Sequence, residues 1–288
     1  MDMSGKVCLV TGANAGIGQY TALGLAKLRA TVIMVCRNRL EGTRVQAEIR
    51  EKGWNDKVYL HVCDLASQQA VWKLCREVGQ QFSRLDVLVN NAAVLQPERQ
   101  ITPEGIDHTW ATNVVAPYLL TQLLLPMMRH SDDPRVVHVG SNVERLGESH
   151  WNDLYGQPAY DALQVYYNTK LALLMLSYQQ AERLRGQSVR VNCLHPGLVR
   201  TQIVKDHYPL PPLQMLAYRL AKPFMLPPKE GAETPLYVAC CEKIKGVTGQ
   251  YFIRKRPARS SAQSYEQAPA EQLWQLCEKV TGVVPNRA

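Results

Sequence analysis

The chain alternates two hydrophobic patterns. Short runs rich in Val, Ile and Leu occur at KVCLVTG (6–12), TVIMVCR (31–37), VYLHVCD (58–64), LDVLVNN (85–91), RVVHVGS (135–141), VRVNCLH (189–195) and GQYFI (249–253). They mostly lack polar alternation. Strands read this way when helices cover both faces of a parallel sheet. Longer stretches of helical pattern lie between them, near 16–29, 39–53, 67–82, 109–129, 160–186, 230–242 and 270–281. The alternation predicts a doubly wound α/β domain of three α/β/α layers around a seven-stranded parallel sheet. A barrel would need eight strand–helix units. No repeat, low-complexity tract or linker divides the chain, so 1–288 reads as a single domain.

One region breaks this rhythm. In TQIVKDHYPLPPLQMLAYRLAKPFMLPPKEG (201–231), six prolines bracket a short amphipathic segment. Proline stops a helix by removing a donor and clashing with the preceding turn. So long an excursion in a compact domain reads as a lid or binding loop. A surface subdomain covering the sheet is the other reading.

Composition narrows the classes. Apolar residues make up 46% and charged residues 20%, as in a soluble globular protein. The net charge of +8 is spread along the chain. Its densest cluster, IRKRPAR (253–259), has no interleaved aromatics, so nucleic acid is not indicated. The cluster reads as a solvated surface, or as attraction for an anionic cofactor or membrane surface. The eight cysteines form no CxxC pair, and no HExxH occurs, so no metal site is expected. Several sit inside apolar runs, where a thiol acts as a small hydrophobe, which favours a reducing compartment. With no leader and no apolar run of eighteen residues, the expected location is cytoplasmic, or peripheral to an intracellular membrane, and not secreted.

TGANAGIG (11–18) follows the first strand and opens the first helix. Glycines there let the backbone turn sharply and approach a pyrophosphate, which the helix N-terminus favours electrostatically. The spacing of Gly12, Gly16 and Gly18 differs from the commoner G-x-G-x-x-G. The second strand ends VCRNR. An acidic side chain here would hold the ribose hydroxyls of NAD, whereas the chain offers Cys36 and Arg37. A guanidinium binds a 2′-phosphate with paired hydrogen bonds. NADP(H) is therefore expected, with Arg37 on the phosphate and Asn38 or Arg39 assisting. Asp64 ends the third strand, where it suits either a ligand contact or the cap of the next helix.

In QVYYNTKLALL (164–174), residues four apart share a helix face, so Tyr166 meets Lys170 while Tyr167 turns away to pack. A cation about 4 Å from a phenol is worth roughly 4 kcal/mol at an effective dielectric near 20. That would hold the phenol well below its ordinary value near 10. Asn168 reads as a polar neighbour of the pair. His138, Trp110 and Trp274 read as core, and Asp86 as a cap or ion-pair partner. His195 reads as packing or a lining of the cofactor cleft. Glu144 and Arg145 read as a solvated loop, or as substrate contacts.

The motifs in order resemble those of the short-chain dehydrogenase/reductase family over essentially the whole chain: TGANAGIG, CDL (63–65), NNAA (90–93), TNVVAPYLLT with Asn113, VVHVGSN with Ser141, YYNTK with Tyr166 and Lys170, and LHPGLVRT (194–201). The VCRN ending, the 24 residues between Ser141 and Tyr166 containing WNDL, and the GQYF…LW C-terminus resemble the retinol dehydrogenase-like branch. The resemblance implies a Rossmann fold and an NADP(H)-dependent oxidoreductase that interconverts a carbonyl and an alcohol on a fairly apolar substrate. It implies a catalytic set of Asn113, Ser141, Tyr166 and Lys170. Tyr166 would be the general acid/base and Ser141 the donor to the substrate oxygen. Lys170 would hold the nicotinamide ribose, and Asn113 would bend its helix and position a water. The implied cofactor contacts are Gly12, Asn14, Ala15, Gly16, Ile17, Gly18, Arg37, Asn38, Asp64, Leu65, Asn91, Ala92, Ala93, Tyr166, Lys170, Pro196, Gly197, Val199 and Thr201. Two alternatives stand beside this: reduction of a carbon–carbon double bond, as in protochlorophyllide reductases, and an NADPH-binding sensor or scaffold without turnover. Pairing through the helices near 109–129 and 160–186 would give a homodimer. The 213–226 stretch, apolar and basic together, suits peripheral membrane contact.

Overall fold

The apolar runs form strands because their neighbours bury both faces. A computed structural model describes residues 1–155, 160–200 and 225–283. The strands are β1 (Val7–Thr11), β2 (Thr31–Cys36), β3 (Val58–Val62), β4 (Val87–Asn90), β5 (Arg135–Val139), β6 (Arg190–His195), β7 (Tyr251–Ile253) and β8 (Arg256–Ala258). They lie in the order β3-β2-β1-β4-β5-β6-β7-β8. The seven expected strands are parallel, with Leu9 of β1 opposite Ile33 of β2 and Leu88 of β4. The eighth runs antiparallel to β7, with Pro257 facing Phe252. Its short, polar, proline-containing sequence carries no strand signal, and proline is tolerated at a sheet edge. Arg254 and Lys255 make the turn between them at φ 50° and 64°.

The helices are α1 (Gly16–Lys27), α2 (Arg39–Gly53), α3 (Gln68–Gln81), α4 (His108–Met128), α5 (Ala162–Arg183), α6 (Glu233–Cys240) and α7 (Gln267–Thr281). Local chemistry starts several of them. Asn38 Oδ1 accepts from the Glu41 amide, Ser67 Oγ from that of Ala70, and Asp161 Oδ1 from those of Leu163 and Gln164. Alternate strand residues feed opposite layers. Cys8, Val10, Val32 and Met34 pack with α1, α2 and α6. Val7, Leu9, Ile33 and Val35 pack with α3 and α4. On this second side α7 lies outermost, with Trp274 edge-on to Tyr118 of α4 and its ring under the Arg183 guanidinium of α5. Among the described residues α4 is long and apolar enough to cross a bilayer, but 83% of its apolar window is buried in the fold.

Strand order reverses between β1 and β4. In open α/β sheets a crevice forms there, beyond the carboxyl ends of the strands.

Candidate active site

The loop after β1 is shaped by where side chains cannot go. A Cβ on Gly18 would sit 2.2 Å from the Gly12 carbonyl oxygen and 2.4 Å from Asn91 Nδ2. A Cβ on Gly12 would sit 3.0 Å from Ala92 Cα, and Gly12 also has φ 64°. Gly16 differs: at φ 56° it faces nothing within 4 Å. Helix α1 starts there, and Ala15 offers its first amides no side-chain acceptor. Open space therefore meets an uncapped helix N-terminus, which suits an anion. Thr11, which the sequence reading passed over, fastens the neighbouring motif. Its Oγ1 accepts from the Asn91 and Ala92 amides at 2.9 and 3.0 Å, while Asn91 Nδ2 donates to the Thr11 carbonyl at 2.8 Å. Asn91 thus braces the glycine loop. The only forward hint was that Thr11 immediately precedes Gly12.

At the end of β2, Arg37 is exposed and has no carboxylate partner among the described residues. The Asn38 side chain is engaged in capping α2. Asp64 is exposed, and its Oδ1 accepts from the Ala66 amide at 3.1 Å. Ser67, not Asp64, caps α3, so Asp64 shapes the turn before that helix. Leu65 is buried in the core beneath. Burial lowers the pKa of His108, with Asp64 opposing and Arg37 reinforcing that shift, so these three groups share one corner of the crevice.

The catalytic candidates gather at the ends of β4 and β5. Ala111–Val115 forms a π-helical turn inside α4, a feature often found at functional sites. Asn113 at its centre is buried. Its Oδ1 accepts from the Val94 amide at 2.8 Å, and its Nδ2 donates to the Val94 carbonyl at 2.9 Å and to Thr169 Oγ1 at 3.1 Å. Thr169 Oγ1 in turn donates to the Tyr166 carbonyl at 2.7 Å. Asn113 is thereby linked through one hydroxyl to the tyrosine's backbone. Thr169 was not singled out in the sequence, although it lies between Tyr166 and Lys170.

Lys170 is 3% exposed, and its Nζ donates to the Val139 carbonyl at 3.2 Å, two residues before Ser141. The same Nζ lies 5.5 Å from the centre of the half-buried Tyr166 ring. The helical spacing thus brings Tyr166 and Lys170 together beside the end of β5. Ser141 caps the 3₁₀ turn Asn142–Leu146, with Oγ accepting from the Val143 amide at 3.4 Å.

The ionisation differs from expectation. Burial pushes the Tyr166 phenol up, and Tyr167 beside it acts the same way. Burial also lowers Lys170 to about 8. The expected lowering of the phenol by Lys170 is absent in the protein alone. Desolvation is the largest influence on both groups, and burial opposes the charged form of each.

Two further readings need correction. Glu144, expected in a solvated loop, is fully buried, and its carboxylate accepts from the Ser261 amide and hydroxyl at 3.0 and 2.5 Å. Its partner lies 117 residues away, so nothing local could announce it. Asn168 does more than neighbour the site. Its Oδ1 accepts from the Glu148 amide and from Gln164 Nε2, both at 2.8 Å. Together these residues clamp the loop after Ser141 from both sides. Gly147 closes the fit, because a Cβ there would lie 2.7 Å from the Tyr167 carbonyl.

His138 is buried, with Nε2 2.7 Å from Gln180 Oε1. Asp86 is paired with Arg84 and accepts from Ser131 and the Val7 amide.

After β6, His195 Nδ1 accepts from the Asn142 amide at 3.1 Å. Burial, aided by the Arg254 charge, lowers this imidazole to about 4. Pro196 follows, then Gly197 at φ 97°. Val199 packs with Ile17 of α1 and Ala232, which places the Pro-Gly segment against the helix that opens at the glycine loop. Val199 also bridges to Leu226. Thr201 lies outside the described residues, as does all of the expected lid 201–231 before 225.

A family model described as short chain dehydrogenase matches residues 6–209. Retinol dehydrogenase 14 of Mus musculus is 34% identical over 293 residues, covering 98% of this chain and 87% of that protein. Among solved structures, a putative uncharacterized protein from Mycobacterium Paratuberculosis aligns with a TM-score of 0.78 at 25% identity, over 99% of this chain and 96% of the other. L-Sorbose reductase from Gluconobacter frateurii, complexed with NADPH and L-sorbose, aligns with a TM-score of 0.68 at 27% identity, over 88% and 96%.

Proposed function

Because the chain belongs to the short-chain dehydrogenase family of oxidoreductases, in its retinol dehydrogenase-like branch, we propose that it interconverts a carbonyl and an alcohol on a fairly apolar substrate with NADP(H). The observation that carries this reading is the placing of the Lys170 ammonium against the Tyr166 ring, beside the strand end that Ser141 follows. The cofactor end fits a dinucleotide. Uncapped amides at the start of α1 and the open space at Gly16 suit a pyrophosphate, and Arg37 suits a 2′-phosphate. The NADPH in the related L-sorbose reductase supports the same choice.

When bound, NADPH supplies the hydride that the carbonyl carbon receives, and leaves as NADP⁺. Tyr166 gives its phenolic proton to the carbonyl oxygen, and takes a proton from the alcohol in reverse. Burial keeps the phenol protonated in the protein alone, which suits donation. Ser141 Oγ is an acceptor for Val143, so its own hydrogen is free to point at the substrate oxygen. Lys170 restores the phenol's proton and holds the nicotinamide ribose. Asn113 and Thr169 act on Tyr166 through its carbonyl, as positioning residues. Asp64, Asn91, Pro196, Gly197 and Val199 line the cofactor crevice. The eight cysteines are free and buried, which fits a reducing compartment. A homodimer built on α4 and α5 must accommodate α7, which packs on both.

Converting Tyr166 to Phe should leave NADPH binding nearly intact and cut carbonyl reduction by about 10²–10⁴-fold. Turnover at the wild-type rate in that variant would overturn the mechanism. Product analysis separates carbonyl from carbon–carbon reduction, and tight NADPH binding without turnover of any carbonyl would favour the sensor reading.

A further inference from the structure

The sheet register carries the site past Ser141 to a basic corner. Val139 of β5 pairs with Leu194 of β6, and His195 pairs with Ile253 of β7, so Ser141, His195 and Arg254 lie at or just past the ends of three adjacent strands. Neighbouring strands lie about 4.8 Å apart, which puts the Arg254 backbone roughly 10 Å across the sheet from that of Ser141. His195 sits between them, holding the Asn142 amide on one side and feeling the Arg254 charge on the other. Arg145 reaches the same place. Its Nε donates to Asn142 Oδ1 at 3.3 Å, and its guanidinium also donates to the Arg259 carbonyl at 2.8 Å.

Acids answer only part of this charge. Lys255 pairs with Glu233 at 2.8 Å. Glu144, 3.8 Å from Arg145, is committed to Ser261. Arg254, Arg256 and Arg259 are exposed and have no carboxylate partner among the described residues. The backbone adds an independent observation. The two turn residues Arg254 and Lys255 both occupy the left-handed region, at φ 50° and 64°. Hairpin turns of this kind favour Asn-Gly. Non-glycine residues held there cluster at ligand sites, where surrounding structure sustains the strain.

We propose that Arg254, with Arg145 and Arg259 beside it, receives an anionic group at the end of the substrate distant from the reacting carbon. That group is a carboxylate or a phosphate ester, and the substrate is an amphipathic carbonyl or alcohol with an apolar body and an anionic end. This rests on the oxidoreductase reading above and adds the charged end to it. Arg254 is a specificity residue and takes no part in the proton or hydride steps.

The test compares 8-oxooctanoate with its methyl ester as substrates for NADPH oxidation, in wild type and Arg254→Gln. The expected result is a wild-type kcat/KM at least tenfold higher for the carboxylate, with the ratio falling towards one in the variant. A wild-type ratio of one or less, or a ratio kept in the variant, overturns the proposal. Calorimetric titration with octanoate, octyl phosphate and octanol gives a readout free of turnover. The anions should lose at least tenfold in affinity relative to octanol on Arg254→Gln, and the tighter anion identifies the source. Equal relative affinities in the two proteins overturn the anion site. Failure of both aldehydes to react, with that anion effect intact, sinks the oxidoreductase reading alone.

Discussion

The two halves of the sheet hold their ligand-facing groups by different means. Around β1, β2 and β3 the site is backbone and space: glycines that pack, a glycine that faces nothing, uncapped amides and an exposed arginine. Around β4, β5 and β6 it is side chains fixed by hydrogen bonds inside the fold, from Asn113 to Thr169 and from the Glu148 amide to Asn168. Sites of the first kind depend on which residues are small. Sites of the second kind depend on partners distant in sequence, and a buried polar group left without its partner is costly.

The sharpest way to break this contrast is at Gly18. Its alanine variant forces a methyl onto the Gly12 carbonyl and should lose about 3 kcal/mol of stability. NADPH binding should fall with it. Gly16→Ala, whose methyl meets no neighbour, should lose only about 1 kcal/mol to the left-handed strain at φ 56°, so equal losses in thermal melts of the two would refute the packing account. On the other half, Asn168→Leu strips an acceptor from the Glu148 amide and Gln164, costing about 2 kcal/mol by chemical denaturation. It should also lower kcat, because the Ser141 loop loses its clamp. Unchanged kcat would mean that the loop's other contacts, Glu144 with Ser261 and Asn142 with His195, hold it without Asn168.

The third test is pH. Burial pushes Lys170 down to about 8 from its ordinary 10.5. Between these values the unfolded chain binds more protons than the native one, so this group makes stability rise with pH. Below about pH 8 it is charged in both states, and its burial is a constant penalty. The buried thiols, pushed up by desolvation, contribute with the opposite sign near and above their ordinary value of 9.0. The effect is therefore read as wild type minus Lys170→Met, which should grow by roughly 2 kcal/mol from pH 8 to 10. A flat difference would mean that Lys170 is solvated in the native state. The smallest effect belongs to the exposed Arg37. A tenfold preference for NADPH over NADH, about 1.4 kcal/mol, should vanish in Arg37→Ala by fluorescence titration. Its persistence would move the phosphate contact elsewhere.

Most of the architecture was legible. The seven parallel strands and the helices between them followed from unbroken apolar runs and helical spacing, and the glycine loop from its place between strand and helix. The eighth strand was not, because Arg256–Ala258 is polar, contains a proline and owes its pairing to β7 alone. The shared face of Tyr166 and Lys170 was legible from a spacing of four. The direction of their ionisation was not, since it depends on how deeply α5 buries both groups.

By itself the sequence determined the seven parallel strands, the sharp glycine turn after the first of them and which tyrosine faces the lysine. Each is a local property, set within a few residues by sterics and periodicity. Only the tertiary structure decided that Thr11 would brace Asn91, 80 residues away, that Glu144 would be buried on Ser261, and that Arg254 would stand two strands from Ser141. Those outcomes depend on which strands lie side by side, and hydrogen bonds and charges between distant segments acquire partners only once that order is formed.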